Sequence, residues 1–310
     1  MKYQTLGWQH ILVKVPNNWF MFFEKKDRKK SQEKTGYFGF RDSKEKKMEL
    51  SWAKLDKKAP KISTVIEDYF KSLKKSYRKI KRKTEGSQKI NGHNAKYIYW
   101  ELEKEKVQGY LMVWICNKTE RLIICTSQFL TSKKSEEKPR IREIMANINC
   151  HPESIFSIWS APNLQIHTPF LNSNLIKREF LIGLTFLHLR DETLDLFAYR
   201  IGLADQKIFN PDEMPKWFRE YYKENLPGIP SRYLPVEFKR LYYKKKIVVW
   251  RSIQRSKKKA LIGKKYFDTY LWSNQEKNDI YCLIFYMKDK PSTKTRSKIE
   301  KMVKLTIRSN

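Results

Sequence analysis

Three alternating carboxylates, Glu101, Glu103 and Glu105, are the first residues of this chain whose type and spacing could do acid–base chemistry. Paired acid–base work needs one carboxyl moved out of its ordinary range by burial. The run ELEKEK instead reads as a solvated strand face near a hairpin tip. The four cysteines, Cys116, Cys125, Cys150 and Cys282, contain no CxxC pair, and five scattered histidines offer no zinc spacing. Cys116 and Cys125 could meet across a hairpin, but reduced structural thiols are the expectation; Cys125 and Cys282, flanked by apolar residues, should be inert. His93 falls in a turn-like NGHN, and His188 on an apolar strand reads as a satisfied structural histidine. Asp42 and Asp191 each follow Arg after a strand and read as turn residues. Neither a phosphate-cradling GxxxxGK motif nor a GxSxG nucleophile elbow is present. With no convergent constellation, the chain is expected not to be an enzyme, and to carry neither metal nor cofactor.

What remains is electrostatic chemistry. Lys and Arg number 65 against 33 Asp and Glu, a formal charge of +32. That excess is spread over both halves and concentrates any polyanion nearby. Its densest block is KSLKKSYRKIKRK, residues 71–83. Within it Lys71, Lys74, Lys75, Arg78, Lys79 and Arg82 recur at three and four spacing, followed by Lys83. Ile62, Val65, Ile66, Tyr69, Phe70, Leu73, Tyr77 and Ile80 recur at the same spacing on the other side. This predicts an amphipathic helix capped near Ser63, with Glu67 and Asp68 in its first turn and a cation stripe about 16 Å long. Like charges four apart cost a few tenths of a kcal/mol each. A second block, RSIQRSKKKALIGKK, supplies Arg251, Arg255, Lys257, Lys258, Lys259, Lys264 and Lys265, and a loop adds Lys25, Lys26, Arg28, Lys29 and Lys30. Placed cations suffice for phosphate contact. The competing reading is a lysine-rich composition in which cations gather on any solvated face.

The elements that hold these residues are written twice. KYIYW (96–100) returns as KIVVW (246–250), and CNKTERLIIC (116–125) as SNQEKNDIYC (273–282), which matches Cys125 to Cys282. Glu143 and Met145 meet Glu300 and Met302, Tyr69-Phe70 meets Trp217-Phe218, MELSW meets LDLFA, and LVKVP meets QIHTP. Two tandem copies are therefore expected, at 1–150 and 151–310. Each opens with a strand ending in Pro, continues through a hairpin and an amphipathic helix, and closes with a three-strand meander and a last helix, from about Arg140 to Asn149 in the first copy. The expected class is α+β, an antiparallel sheet with helices laid on it. The second copy's first helix, PDEMPKWFREYYKENLPGIP, is nearly charge-balanced, so the fold does not require a basic stripe there.

On VPNNW (15–19), MELSW (48–52) and NGHNAKYIYW (91–100) the chain resembles the PsbP-like fold, in two copies. The second copy departs from it, with Ala198 where the first has Trp52. A TATA-binding-protein-like saddle or a helix-grip fold would give a similar order of elements. The resemblance implies a binding module for protein partners and no catalytic residues. The charge adds an expected polyanion partner: RNA, DNA or a nucleoprotein assembly. The alternative is an adaptor for an acidic protein or an anionic membrane surface. The N-terminal sequence lacks a signal peptide's apolar core, and FLIGLTFLHL (180–189) is too short to span a bilayer, so a cytoplasmic protein is expected.

Overall fold

The computed structural model describes residues 2–23, 34–56, 59–77, 79–153, 156–170, 173–204, 210–225, 237–243, 247–255 and 265–310. They form two compact units, Met1–Ser154 with Ile158–Ser160, and Ala161–Asn310 with Ile155–Ser157.

The first unit opens with a hairpin of β1 (Tyr3–Trp8) and β2 (Ile11–Pro16). Its main sheet contains β3 (Phe20–Phe22), β4 (Thr35–Arg41), β5 (Lys46–Lys54), β6 (Lys81–Ile90), β7 (His93–Leu102), β8 (Val107–Cys116) and β9 (Arg121–Leu130). Helix α1 (Ile62–Ser76) lies between β5 and β6 in the chain, and α2 (Lys134–Ala146) follows β9. The sheet is antiparallel, in the order β3-β4-β5-β9-β8-β7-β6. The chain then repeats the path with β10 (Ser157–Ala161), β11 (Leu164–Thr168), β12 (Asn174–Leu181), β13 (Leu184–Arg190), β14 (Asp195–Gly202), α3 (Met214–Asn225), β15 (Lys239–Tyr243), β16 (Ile247–Arg255), β17 (Tyr266–Asn274), β18 (Asp279–Met287) and α4 (Thr293–Ser309). The second unit's sheet runs β12-β13-β14-β18-β17-β16-β15, the first order repeated. The duplicated α+β architecture expected from the sequence is present.

The residue-by-residue equivalences differ from those the sequence offers. The two hairpins close with Cys116 opposite Arg121 and Asn274 opposite Asp279. Counting inward, Cys282 is the counterpart of Ile124, not of Cys125. Burial agrees, since Ile124 packs against the α1-side core and Cys282 against the α3-side core. A slip of one residue moves a side chain to the other face, so packing decides where sequence similarity misleads. The buried positions Ile141, Ile144 and Met145 of α2 likewise recur as Ile299, Met302 and Val303, which makes Ile144 the partner of Met302. The counterpart of Trp52 is Arg200, not Ala198. In the first unit the Arg121 guanidinium lies 3.8 Å from the Trp52 ring centroid; in the second, Arg200 and Asp279 hold the same two places as an ion pair.

The cationic block is not one helix. α1 starts after Lys61, which makes no side-chain cap, so Ser63 lies inside its first turn and Glu67 beyond it. It stops at Ser76, where Tyr77 turns to extended backbone at φ −133° and ψ 124°. Tyr77 and Ile80 still pack on the core formed by Ile66, Phe70, Ile98, Trp100 and Leu111. From Lys81 the chain pairs with β7, Lys81 opposite Glu101, as the sheet's edge strand. Tertiary pairing has overridden helical periodicity there. α2 also starts earlier than expected, at Lys134.

Trp100, fully buried, explains one glycine. Gly109 sits directly across from it on β8, and a Cβ there would lie 2.5 Å from the indole and 2.4 Å from the Ser127 carbonyl. Gly109→Ala is therefore expected to destabilise the first unit by about 1–3 kcal/mol, read from urea denaturation.

Candidate functional site

Of the cations singled out in the sequence, Lys25, Lys26, Arg28, Lys29, Lys30, Arg78, Lys257, Lys258, Lys259 and Lys264 lie outside the described residues. Arg255 ends β16, and its side chain is also outside them. The others divide by partner. Arg82, on the edge strand, folds back onto α1 and donates to both Glu67 carboxylate oxygens at 2.7 and 2.8 Å, with its guanidinium 4.2 Å from the Phe70 ring centroid. That contact holds the Glu67 carboxyl below its ordinary range. Lys83 is 3.0 Å from Glu101, and Lys71 is 3.6 Å from Asp68. Arg251 makes a bidentate pair with Asp268 at 3.0 and 2.8 Å and reaches Glu300 at 3.3 Å. Lys265 lies 5.7 Å from the Tyr286 ring centroid. Lys74 and Lys75 on the last turns of α1, and Lys79 in the link to β6, are exposed and make no ion pair among the described residues.

The three carboxylates do not share a strand face as the sequence implied: only Glu101 lies on β7, half-buried, and Glu105 falls in the turn that follows. Glu101 is held below its ordinary range, chiefly by the Lys83 ammonium, the opposite of what a general acid needs. Glu103 lies past the end of β7 in a turn. Asp42 accepts from the Lys44 and Glu45 backbone N–H groups, and Asp191 from that of Thr193, as turn residues do. His188 Nε2 bonds Asp195 Oδ1 at 2.7 Å, and its ring stacks on Phe197. A shallow pocket on the α2 side of the sheet is lined by Tyr97, Tyr99, Tyr110, Lys138 and Arg142, without a carboxylate pair.

Sequence spacing did not reveal one convergence. The nitrogen and sulfur atoms of His93, Cys116, Cys150 and His151 all lie within 4.8 Å of one another. Asn91 and Gly92, at φ 47° and 83°, make the tight turn that Asn-Gly favours, so His93 is the first residue of β7 and not part of the turn. Cys116 ends β8. The β7–β8 register, Lys96 opposite Val113, carries on to set His93 opposite Cys116. Strand alternation points both toward α2. Past α2 the chain is fixed by a two-way bridge of Leu12 and Asn149, with N–H···O distances of 2.8 and 2.9 Å, which delivers Cys150 and His151 to the same corner. His151 Nδ1 is 3.1 Å from His93 Nε2, 3.5 Å from Cys116 Sγ and 3.4 Å from Cys150 Sγ. Both thiols are wholly buried and both imidazoles half-buried. The Trp114 indole N–H donates to Cys150 Sγ at 3.5 Å. The histidines and cysteines that looked scattered are thus a soft, four-donor cluster within the first unit.

No protein-family model matches the chain, and no curated protein matches it. Among solved structures, it is similar to PsbP of Synechocystis sp. PCC 6803, at 12% identity and a TM-score of 0.37 over 48% of this chain and 92% of that one. It is also similar to the T6SS immunity protein TplEi of Pseudomonas aeruginosa, at 9% identity and a TM-score of 0.32 over 97% of this chain and 95% of that one. PsbP thus matches about half of this chain, and TplEi nearly all of it.

Proposed function

We propose that this is a non-catalytic binding protein that docks a polyanion, a nucleic acid or nucleic-acid-rich assembly, on the cationic corner formed by the end of α1 and the link into β6. The observation that carries this reading is the division among the cations. Arg82, Lys83 and Arg251 are taken up by carboxylates of their own unit, whereas Lys74, Lys75 and Lys79 are exposed without an ion-pair partner among the described residues. Edge strands are also guarded by lysines against pairing with other chains, which accounts for Lys81 and Lys83 on β6. It does not account for the three lysines that precede the strand. Phosphates need only such placed charges, with no base readout.

Pull-down from a lysate at physiological salt, with and without nuclease, tests this. Nucleic acid should be retained by the wild type and lost with Lys74→Glu, Lys75→Glu and Lys79→Glu together, while Arg251→Gln keeps binding and loses stability instead. A nuclease-resistant protein partner on the same lysines would replace this reading with the acidic-partner adaptor.

A further inference from the structure

We propose that His93, Cys116, Cys150 and His151 form a mononuclear zinc site with a structural role, independent of the cationic corner. A tetrahedral zinc ion with Zn–S near 2.3 Å and Zn–N of 2.0–2.1 Å sets its donor atoms about 3.3–3.8 Å apart. The distances around His151 Nδ1, 3.1, 3.4 and 3.5 Å, approach that tetrahedron before any ion is placed. Two thiolates and two imidazoles in tetrahedral array select zinc among divalent ions. A two-iron cluster held by two Cys and two His places the pairs on different irons, so its Cys–His separations would exceed its His–His separation. Here all three are alike.

Four protein donors close the coordination sphere, and the sulfurs are wholly buried, so neither a metal-bound water nor a substrate has a place. What the site does is mechanical. It ties three stretches distant in sequence, the start of β7, the end of β8 and the chain after α2, into one corner. The second unit shows the same corner closed otherwise. Asn274 stands where Cys116 does, and its amide donates to the Asn310 carbonyl at 2.7 Å, while the Asn310 amide donates to the Gln165 carbonyl at 2.7 Å. One copy is stapled by hydrogen bonds, the other by soft metal donors. Around the first, the Trp114 N–H bond to Cys150 Sγ supplies the outer-shell support that thiolate ligands take.

The full chain, purified under reducing conditions, stripped with chelator and titrated with Zn2+ or Co2+, should bind one ion per chain. The Co2+ form should show the ligand-field bands of a tetrahedral site and sulfur-to-metal charge transfer. Cys116→Ser and His151→Ala should each lose the ion, or weaken its binding by 10-fold or more. If either variant fails to fold, the wild-type titration decides alone. A reduced wild-type chain that takes up no zinc overturns the proposal, as does a Co2+ spectrum without thiolate character. Undiminished binding in a folded variant also overturns it, and so does a Cys116–Cys150 disulfide in a chain that binds no zinc once reduced.

Discussion

Replacing Lys47 by methionine is expected to cost the first unit about 3–5 kcal/mol. Lys47 is 4% exposed on β5, and its ammonium meets Glu137 of α2 at 2.8 Å, Glu45 at 2.8 Å and Asp42 at 3.3 Å. Glu137 is 3% exposed, so removing Lys47 leaves this buried carboxylate in the first turn of α2 with only the more distant Arg140 guanidinium, at 3.5 Å. Desolvation opposes the charge on Lys47, and its carboxylate partners outweigh that and raise its pKa. Removing both charges is a different experiment. Lys47→Met with Glu137→Leu should recover most of the loss, because an apolar pair of similar volume escapes the desolvation penalty. Urea midpoints at constant slope measure each step. The pH dependence follows from the shifts. Glu45 is held low chiefly by Lys133 and Lys47; Asp42 is held low by backbone N–H groups and Lys47 despite its desolvation. A lowered carboxylate stabilises above its unfolded pKa, about 4, and loses that contribution as pH falls through its folded value. A raised lysine stabilises below about 10.4 and loses its contribution as pH rises through the folded value. The gap between wild type and Lys47→Met should therefore be widest between about pH 5 and pH 10.

The second large effect is the loss of zinc. At free zinc a thousandfold above its dissociation constant, binding to the folded state alone adds about 4 kcal/mol of stability. A chelator should remove that from the first unit and leave the second untouched. Hydrogen exchange reads the difference by position: amides of Asn91–Asn94 and Ile148–His151 should lose protection, while those around Gln165 and Asn310 keep theirs. Equal loss at both corners would mean that the metal does not act at the His93–Cys116–Cys150–His151 cluster.

Much of this was legible in the chain itself. The internal repeat gave the doubled sheet. The repeat was read one residue out at Cys282 because similarity in sequence cannot see which face packs. KSLKKSYRKIKRK kept its three-and-four spacing past Ser76, so nothing local announced that Lys81–Ile90 would leave the helix and pair with β7. The metal cluster was half visible. Asn91-Gly92 fixes His93 at the strand start, and counting the β7–β8 hairpin register sets His93 across from Cys116. Cys150 and His151 were out of reach, because their place depends on how α2 docks and on the Leu12–Asn149 bridge, both long-range.

The functional claim rests on three lysines, and salt dependence addresses it most directly. Binding of the full chain to a short single-stranded oligonucleotide should weaken with salt along a log–log line. The slope for Lys74→Glu, Lys75→Glu, Lys79→Glu should be shallower than wild type by about 2, near 0.7 per single-strand phosphate contact removed. Identical slopes for wild type and the triple variant, or no binding of the wild type even at low salt, would contradict it.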